Sequence, residues 1–362
     1  MRKEYRIPIM IPNTICAGTH EQECVFCDRT RKESPIGEKE VVDTINYYLQ
    51  SYAQEEPKQI EVAFWGGNFT DLAVETQEIL LKAVYTFIQK GEIHSICFVS
   101  RPDTLQKKYI KMYKKYKVKT IEMMAVSSNQ YVLEKAQVGY TWEQVKKASR
   151  WLKFAGIKLG YQMMIGLPES TKLDERNTAL AFIKQKPYMV RIYPVLVVKG
   201  SPLESQYAAQ DYHPLPLVQA VERCKEVANL CNIHRIPVIK IGAQNTEGIL
   251  ELKAQSSQVV AGPYHPEFRQ LVEGAMWYDA IVEEIKKINT KVKQVEIKAN
   301  PQDIPNIMGF QNGNVHKLRE IYDVDVVITP QEESVRPGKF EVAVAKTYDE
   351  ILEEERMQRD KS

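Results

Sequence analysis

Along the first two-thirds of the chain, short apolar runs alternate with longer segments whose apolar residues recur every three or four positions. The runs are RIPIMI (6–11), IEVAFWGG (60–67), SICFVS (95–100), TIEMMAVSS (120–128), KLGYQMMIG (158–166), MVRIYPVLVV (189–198) and VIKIGAQ (238–244). They are β-branched and apolar with no polar alternation, which indicates parallel strands covered by helices. Amphipathic stretches of helical period lie between them, at 41–52, 75–90, 105–116, 141–156, 175–185 and 215–231. In the fourth, Val145, Ala148, Leu152 and Ala155 form one apolar stripe. Thr141 and Gln144 form a capping box, and Gly156 stands where a left-handed residue ends a helix. Six β/α units in a row predict an α/β fold, a partial (β/α)6 barrel whose active site lies at the C-terminal ends of its strands.

Beyond residue 245 the order changes. A loop and long helix (261–288) precede a strand KQVEIKA (293–299), a short helix IPNIMG (304–309) and a glycine loop GFQNG (309–313). A helix NVHKLREIYDV (314–324), strands VVITP (326–330) and KFEVAVA (339–345) and a terminal helix YDEILEEERM (348–357) complete the chain. The expected organisation is a barrel over 1–245, a helical extension over 246–290 and a small α+β domain over 291–362.

The 362 residues are 44% hydrophobic, enough for a sizeable core, and the net charge of +2 gives no global signature of nucleic-acid binding. The start, MRKEYRIPIMIPN, is interrupted by Pro8 and Pro12 and is neither a secretory leader nor a membrane span. A cytoplasmic protein without membrane attachment is expected. Its six cysteines then read as metal ligands or core residues rather than disulfides. Cys97, in an apolar run, and Cys224 and Cys231, neighbours on one helix face, read as core. Cys16, Cys24 and Cys27 lie in a loop that follows the first strand directly, as C-x7-C-x2-C. Cysteine thiolates hold iron–sulfur clusters, and three of them on a 4Fe–4S cluster leave one iron open for a ligand. A zinc site with His20 as fourth ligand is the alternative reading of that spacing.

This loop resembles the cluster loop of radical S-adenosylmethionine enzymes. The long first gap is similar to that of the Elongator catalytic-subunit branch, and Phe26 is the aromatic residue often seen before the last cysteine. Other segments match in the same order. FWGGN (Phe64 to Asn68) resembles the GGE-type motif, which implies that Gly66, Gly67 and Asn68 meet the methionine end of S-adenosylmethionine. SRPD (Ser100 to Asp103) resembles the STRPD segment near the ribose, which implicates Ser100 and Arg101. MMIGLPES (Met163 to Ser170) resembles the segment that packs on adenine, which implicates Ile165 and Gly166; Gln162 and Ser127 join the expected cofactor site. RIYPVLVVKGSPLE and IKIGAQNTE resemble later segments, so the resemblance covers residues 5–270. One departure stands out. The fourth strand, IEMMAVSS, has Met124 and Val126 where the family resembles ELGVQS, which bears on cofactor geometry or substrate choice. In the next turn, VGYT stands for RGHT, with Val138 at a basic position.

The resemblance implies a 4Fe–4S cluster that passes one electron to S-adenosylmethionine and so yields a 5′-deoxyadenosyl radical. It also implies a one-electron donor such as flavodoxin or ferredoxin. Tyr161, Tyr193 and Tyr264 are candidate late participants, read first as packing residues. IMGFQNGNVHKLREIYDVDVVI resembles a KH RNA-binding module, although Gly309 and Gly313 enclose three residues rather than two. His316, Lys317 and Arg319 follow on the next helix. In Lys107 to Lys119, lysines interleave with Tyr109, Tyr113 and Tyr116; packed tyrosines under solvated lysines are the first reading, an RNA surface the second. A radical enzyme acting on RNA, with tRNA as partner, is therefore the expectation. The alternatives are a small-molecule or tetrapyrrole enzyme similar to anaerobic coproporphyrinogen oxidases, and a non-catalytic iron–sulfur RNA-binding protein. No Q/RxxGxG/A acetyl-CoA loop is found, so acetyl transfer is not carried over.

Overall fold

The structure is a computed structural model that describes residues 3–11, 24–28, 36–52, 58–243, 258–288, 292–332 and 335–350. The chain divides into two compact units, Met1–Pro266 and Glu267–Ser362.

The first unit runs β1 (Lys3–Ile11), α1 (Glu38–Tyr52), β2 (Lys58–Gly66), α2 (Val74–Gln89), β3 (Ser95–Ser100), α3 (Ile110–Lys115) and β4 (Val118–Val126). It continues α4 (Gln130–Lys135), α5 (Trp142–Ala155), β5 (Lys158–Ile165), α6 (Lys172–Lys184), β6 (Met189–Pro194) and β7 (Val197–Val198). It closes with α7 (Pro202–Ala208), α8 (Leu217–Ile233), β8 (Val238–Ile241) and β9 (Val259–Ala261). Seven strands form one sheet in the order β1-β2-β3-β4-β5-β6-β8, every pair parallel. Strand order follows chain order, so each crossover is one β/α unit and the sheet curls into a half-barrel. The Thr141–Gln144 capping box forms, and Gly156 ends α5 at φ +73°.

Three local readings differ from the sequence. The run 189–198 is not one strand: β6 ends at Pro194, which has no N–H to give, and Val197–Val198 pairs antiparallel with β9 instead. A short helix, α4, appears where none was expected, started by the Asn129 side chain accepting from Tyr131 N at 2.9 Å. The stretch 105–116 is a one-turn 3-10 helix over Lys107–Tyr109 followed by the six-residue α3.

The two faces of the sheet differ, which corrects the reading of unalternating apolar strands. Phe64, Phe98 and Ile121 share one face by register. Phe98 stacks on Phe69 at 4.5 Å and meets Tyr113 of α3 edge-on at 5.1 Å, so this face is covered by the surrounding helices. The opposite face is polar. Arg6 stands beside Glu61, and Gln162, Arg191 and Lys240 are adjacent across β5, β6 and β8.

The second unit comprises α9 (Phe268–Lys286), β10 (Val292–Ala299), α10 (Ile304–Met308), α11 (Gly313–Tyr322), β11 (Asp325–Pro330) and β12 (Phe340–Thr347). Its sheet runs β11-β10-β12, with β10 parallel to β11 and antiparallel to β12. Ile281 and Val282 of α9 pack into one core with Val295, Ile297, Ile307 and Leu318. The helix assigned by sequence to an extension over 246–290 thus packs with the C-terminal elements. Of the expected terminal helix 348–357, residues 351–357 lie outside the described residues. No helix among the described residues is long and apolar enough to cross a membrane.

Candidate active site

Cys16 and His20 lie outside the described residues. Cys24 and Cys27 occupy a short loop that hydrogen bonds pin on both sides. Val25 N donates to Ala136 O at 3.1 Å, just after α4, and Leu203 N of α7 donates to Val25 O at 2.9 Å. A turn closes the loop, Cys27 N to Cys24 O at 3.3 Å, and Phe26 is half-buried within it. Cys24 is 6% exposed. A hydrogen bond from Cys27 and the nearby Arg101 guanidinium hold its thiol below the ordinary range, against burial.

Arg101 follows the last residue of β3 and is buried at 2% exposure. Its Nη1 donates to Cys24 Sγ at 3.6 Å, and its Nε and Nη2 donate to Asp103 at 3.1 and 2.8 Å. Nη2 also donates to Val138 O at 2.6 Å, and the guanidinium lies 5.4 Å from the Tyr140 ring centroid. The buried Tyr140 hydroxyl finds no hydrogen-bond partner among the described residues. Burial pushes that phenol well above its ordinary range, and the charge of Cys24 adds to the shift.

The glycine turn at the end of β2 packs against the end of β1. Gly66 has φ +90°, and a Cβ there would come within 2.8 Å of Ile11 O. Gly67 N donates to the same Ile11 O at 2.7 Å, which brings the turn to the end of β1. Asn68 and Ser100 are fully buried and brace this corner. Asn68 Oδ1 accepts from Arg101 N at 3.0 Å and from Thr70 Oγ1 at 2.9 Å, and Ser100 Oγ lies 2.8 Å from Thr70 Oγ1. The fold therefore gathers Cys24, Cys27, Gly66, Gly67, Asn68, Ser100 and Arg101 at the C-terminal ends of β1 to β3.

The other expected site residues lie further along the sheet. Ser127 follows β4, where Val126 takes φ +24° at a register shift against β5. A β-branched residue at positive φ is an outlier, and it falls on the departure noted in the sequence. Ser127 Oγ accepts from Asn129 N at 3.1 Å and meets Thr178 Oγ1 at 3.3 Å. Ile165 is buried, and Gly166 turns the end of β5 at φ +83°. Gly166 N donates to Glu175 at 2.7 Å, and its carbonyl accepts from Tyr212 at 2.7 Å. Burial raises the Glu175 carboxyl above the usual range, opposed by two 2.6 Å bonds from Arg223. Gln162 lies on the polar face of the half-barrel, where its Nε2 donates to Glu122 at 3.2 Å.

That polar face holds residues the sequence reading passed over. Arg191 binds Glu122 through Nε at 2.6 Å and Nη2 at 3.0 Å, and lies 4.8 Å from the Trp65 ring centroid. The Trp65 indole N–H is buried without a partner among the described residues. Lys240 lies 5.3 Å from the Tyr193 ring centroid, and burial with the charge of Arg191 lowers its ammonium pKa to about 7. The signal was present in the sequence: a single charged residue inside four of the seven apolar runs, at Glu61, Glu122, Arg191 and Lys240. Tyr161 is packed, hydrogen-bonded to Ser149 at 2.6 Å. Cys97, Cys224 and Cys231 are buried in the core, as expected.

In the second unit, Gly309 has φ +73°, and Gln311 and Asn312 follow in the left-handed region. The loop is fixed by buried Asn314, whose Nδ2 donates to Gly274 O (2.8 Å), Asn306 O (3.2 Å) and Ile307 O (3.1 Å). Gly313 opens α11, which presents His316, Lys317 and Arg319 to solvent. Lys317 leans on Tyr278, and Arg319 Nε pairs with Asp325 at 2.6 Å. In the Lys107–Lys119 segment, Tyr113 and Tyr116 are buried and bonded to Gln77 and Glu78, under exposed lysines.

A parallel half-barrel with a buried and a half-buried cysteine and a glycine turn at its C-terminal mouth has the plan of a barrel enzyme. Comparison with known proteins gives the family. A model of the radical SAM superfamily matches residues 10–182, and a model of the radical SAM C-terminal domain matches 187–278. The chain belongs to the radical S-adenosylmethionine superfamily. It is similar to the tRNA uridine(34) acetyltransferases of Methanocaldococcus jannaschii and Methanocaldococcus infernus, 27% and 26% identical over 203 residues. Those matches cover 48% of this chain and 38% of each relative. Among solved structures, the archaeal Methanocaldococcus infernus Elp3 with an N-terminal deletion aligns with TM-score 0.58 at 18% identity, over 77% of this chain and 64% of that one. Methylornithine synthase aligns with TM-score 0.50 at 14% identity, over 71% and 75%. At these identities the structural likeness shows the fold.

The family implies a 4Fe–4S cluster and S-adenosylmethionine. The described residues suit a thiolate-bound cluster. Cys24 and Cys27 are close enough to hydrogen-bond, a buried cation faces Cys24, and the orphaned Tyr140 hydroxyl is a donor in need of an acceptor.

Proposed function

We propose that this radical S-adenosylmethionine enzyme modifies RNA, with tRNA as its substrate. The observation that carries the proposal is the 203-residue similarity to two proteins named for tRNA uridine(34). Acetyl transfer is left with those relatives, because the match covers 38% of their length.

In this reading Cys16, Cys24 and Cys27 hold the cluster. When bound, it supplies one electron to S-adenosylmethionine and so generates the 5′-deoxyadenosyl radical that abstracts hydrogen from the substrate. The protein binds and orients. The Gly66–Gly67 turn, free of side chains, lets backbone carbonyls approach the methionine end, with Asn68 and Ser100 keeping the turn in place. Ile165 and Gly166 form the apolar shelf for adenine at the end of β5, and Ser127 closes the side toward β4. A one-electron donor of the flavodoxin or ferredoxin kind supplies the electron. The loop between Gly309 and Gly313 takes the RNA backbone, with His316, Lys317 and Arg319 beside it on α11.

The test uses the full chain, reconstituted anaerobically with iron and sulfide, reduced, and given S-adenosylmethionine with or without tRNA. We expect 5′-deoxyadenosine to form, to rise when tRNA is added, and to disappear in Cys24→Ala. If 5′-deoxyadenosine forms but tRNA neither stimulates it nor binds at low salt, the RNA substrate is wrong and the enzyme class stands. If zinc binds and no cluster assembles, the cluster assignment of Cys16, Cys24 and Cys27 is wrong.

A further inference from the structure

We infer that Arg101 is a positioning residue that fixes the Cys24 sulfur and raises the reduction potential of the cluster, with the Tyr140 hydroxyl as a second donor. This rests on the reading above that Cys24 is a cluster ligand.

Contacts with Asp103, Val138 and Tyr140 hold the Arg101 guanidinium in one place. Asp103 takes Nε and Nη2, the Val138 carbonyl takes Nη2, and Tyr140 packs against the guanidinium. Its backbone N–H is held by Asn68 Oδ1 at 3.0 Å. What this frame presents to the cysteine loop is Nη1, 3.6 Å from Cys24 Sγ. A guanidinium is always charged and carries its donors in a rigid fork, so such a clamp fixes the direction of the remaining donor. The loop is fixed from its own side by Ala136 O and Leu203 N. Donor and sulfur therefore meet between two rigid bodies rather than through a flexible side chain.

The Tyr140 hydroxyl adds an independent observation. Its ring lies against Arg101, its oxygen is buried, and it has no acceptor among the described residues. It stands close enough to Cys24 and Cys27 to feel the charge of both. A buried hydroxyl left unbonded is costly, and a cluster sulfide or thiolate is the acceptor that this position can offer.

Hydrogen bonds and positive charge at the sulfurs help set the potential of an iron–sulfur cluster. One electron arrives from an external low-potential donor, no bond to cysteine forms or breaks, and the negative charge of the thiolate-bound cluster grows by one. Arg101 and Tyr140 stabilise that extra charge more than the oxidised form. Their removal makes reduction harder.

The measurement is an EPR-monitored redox titration of the reconstituted full chain without S-adenosylmethionine, with iron counted per chain. It compares wild type, Arg101→Gln, Arg101→Lys and Tyr140→Phe. We expect Arg101→Gln to lower the midpoint by a tenfold change in the reduction equilibrium or more, about 59 mV for one electron. Arg101→Lys should recover part of that shift, and Tyr140→Phe should show a smaller fall. Wild-type iron content with an unmoved midpoint in Arg101→Gln overturns the inference. Should Arg101→Gln hold no cluster, unmoved midpoints in both other variants overturn it equally. A wild-type chain that assembles no cluster refutes the earlier reading as well, which separates the two failures.

Discussion

Replacing Arg191 with leucine tests the polar face of the half-barrel most sharply. Glu122 is 1% exposed, and two of its hydrogen bonds come from Arg191. In Arg191→Leu the carboxylate keeps the Gln162 amide at 3.2 Å, the Cys97 thiol at 3.8 Å, the Arg6 guanidinium at 3.9 Å, and Lys240 near enough to feel its charge. Two unit charges about 4 Å apart interact by about 4 kcal/mol at an effective dielectric of about 20. Breaking a buried pair by removing one partner costs about 3–5 kcal/mol. The two estimates agree on about 4 kcal/mol, and at about 2–4 °C per kcal/mol for a large domain the melting temperature should fall by about 8–16 °C. The assay is thermal melting of the apo-protein followed by circular dichroism, with Glu122→Leu/Arg191→Leu as the second arm. The double variant buries no unpaired member of this couple and should recover most of the loss. If Arg191→Leu melts within about 2 °C of wild type, or the double variant melts below the single one, the pair does not contribute as its geometry implies.

Three further outcomes follow from the same structure. Lys240 releases its proton near pH 7 when folded but near 10.5 when unfolded. The unfolded chain therefore binds more protons between those values, and stability should rise with pH across that window. Urea midpoints from pH 6.5 to 9 should show a rise that Lys240→Met flattens; an equally steep rise in the variant refutes the assignment. Tyr140→Phe removes a buried hydroxyl with no partner among the described residues, so the apo-protein should gain about 1–3 kcal/mol, and a lower melting temperature would contradict this. Gly309→Ala forces a Cβ to within 2.8 Å of Asn314 Cγ at φ +73°, which displaces the side chain that holds the loop. The full chain should lose more than about 1 kcal/mol and show weaker tRNA binding, and an unchanged melt would refute the strain.

Much of the architecture was legible because its causes are local. The Thr141–Gln144 box and Gly156 bound α5 through hydrogen bonds and one backbone angle that span a few residues. The α4 helix was equally local, with Asn129 as its cap, and was missed because its apolar residues are too few to show a period. The cysteine loop stood out by the spacing of Cys16, Cys24 and Cys27, since residues close in the chain show their pattern without a fold. Arg101 was singled out as well, but for the cofactor ribose. That its side chain lies on Cys24 depends on β3 delivering it beside a loop 77 positions earlier in the chain.

What the sequence determined by itself was the order of strands and helices, the parallel sheet and the spacing of the cysteine loop. Periodicity, capping and ligand spacing act within a few residues and need no partner. What tertiary structure decided was which charges meet. Glu122, Arg191 and Lys240 lie on three different strands and are joined only by the curl and register of the sheet. Arg101, Val138 and Tyr140 converge on Cys24 only once the crossover loops are packed at the mouth of the half-barrel. Electrostatic energy depends on distance in space, and the linear order of residues does not contain that distance.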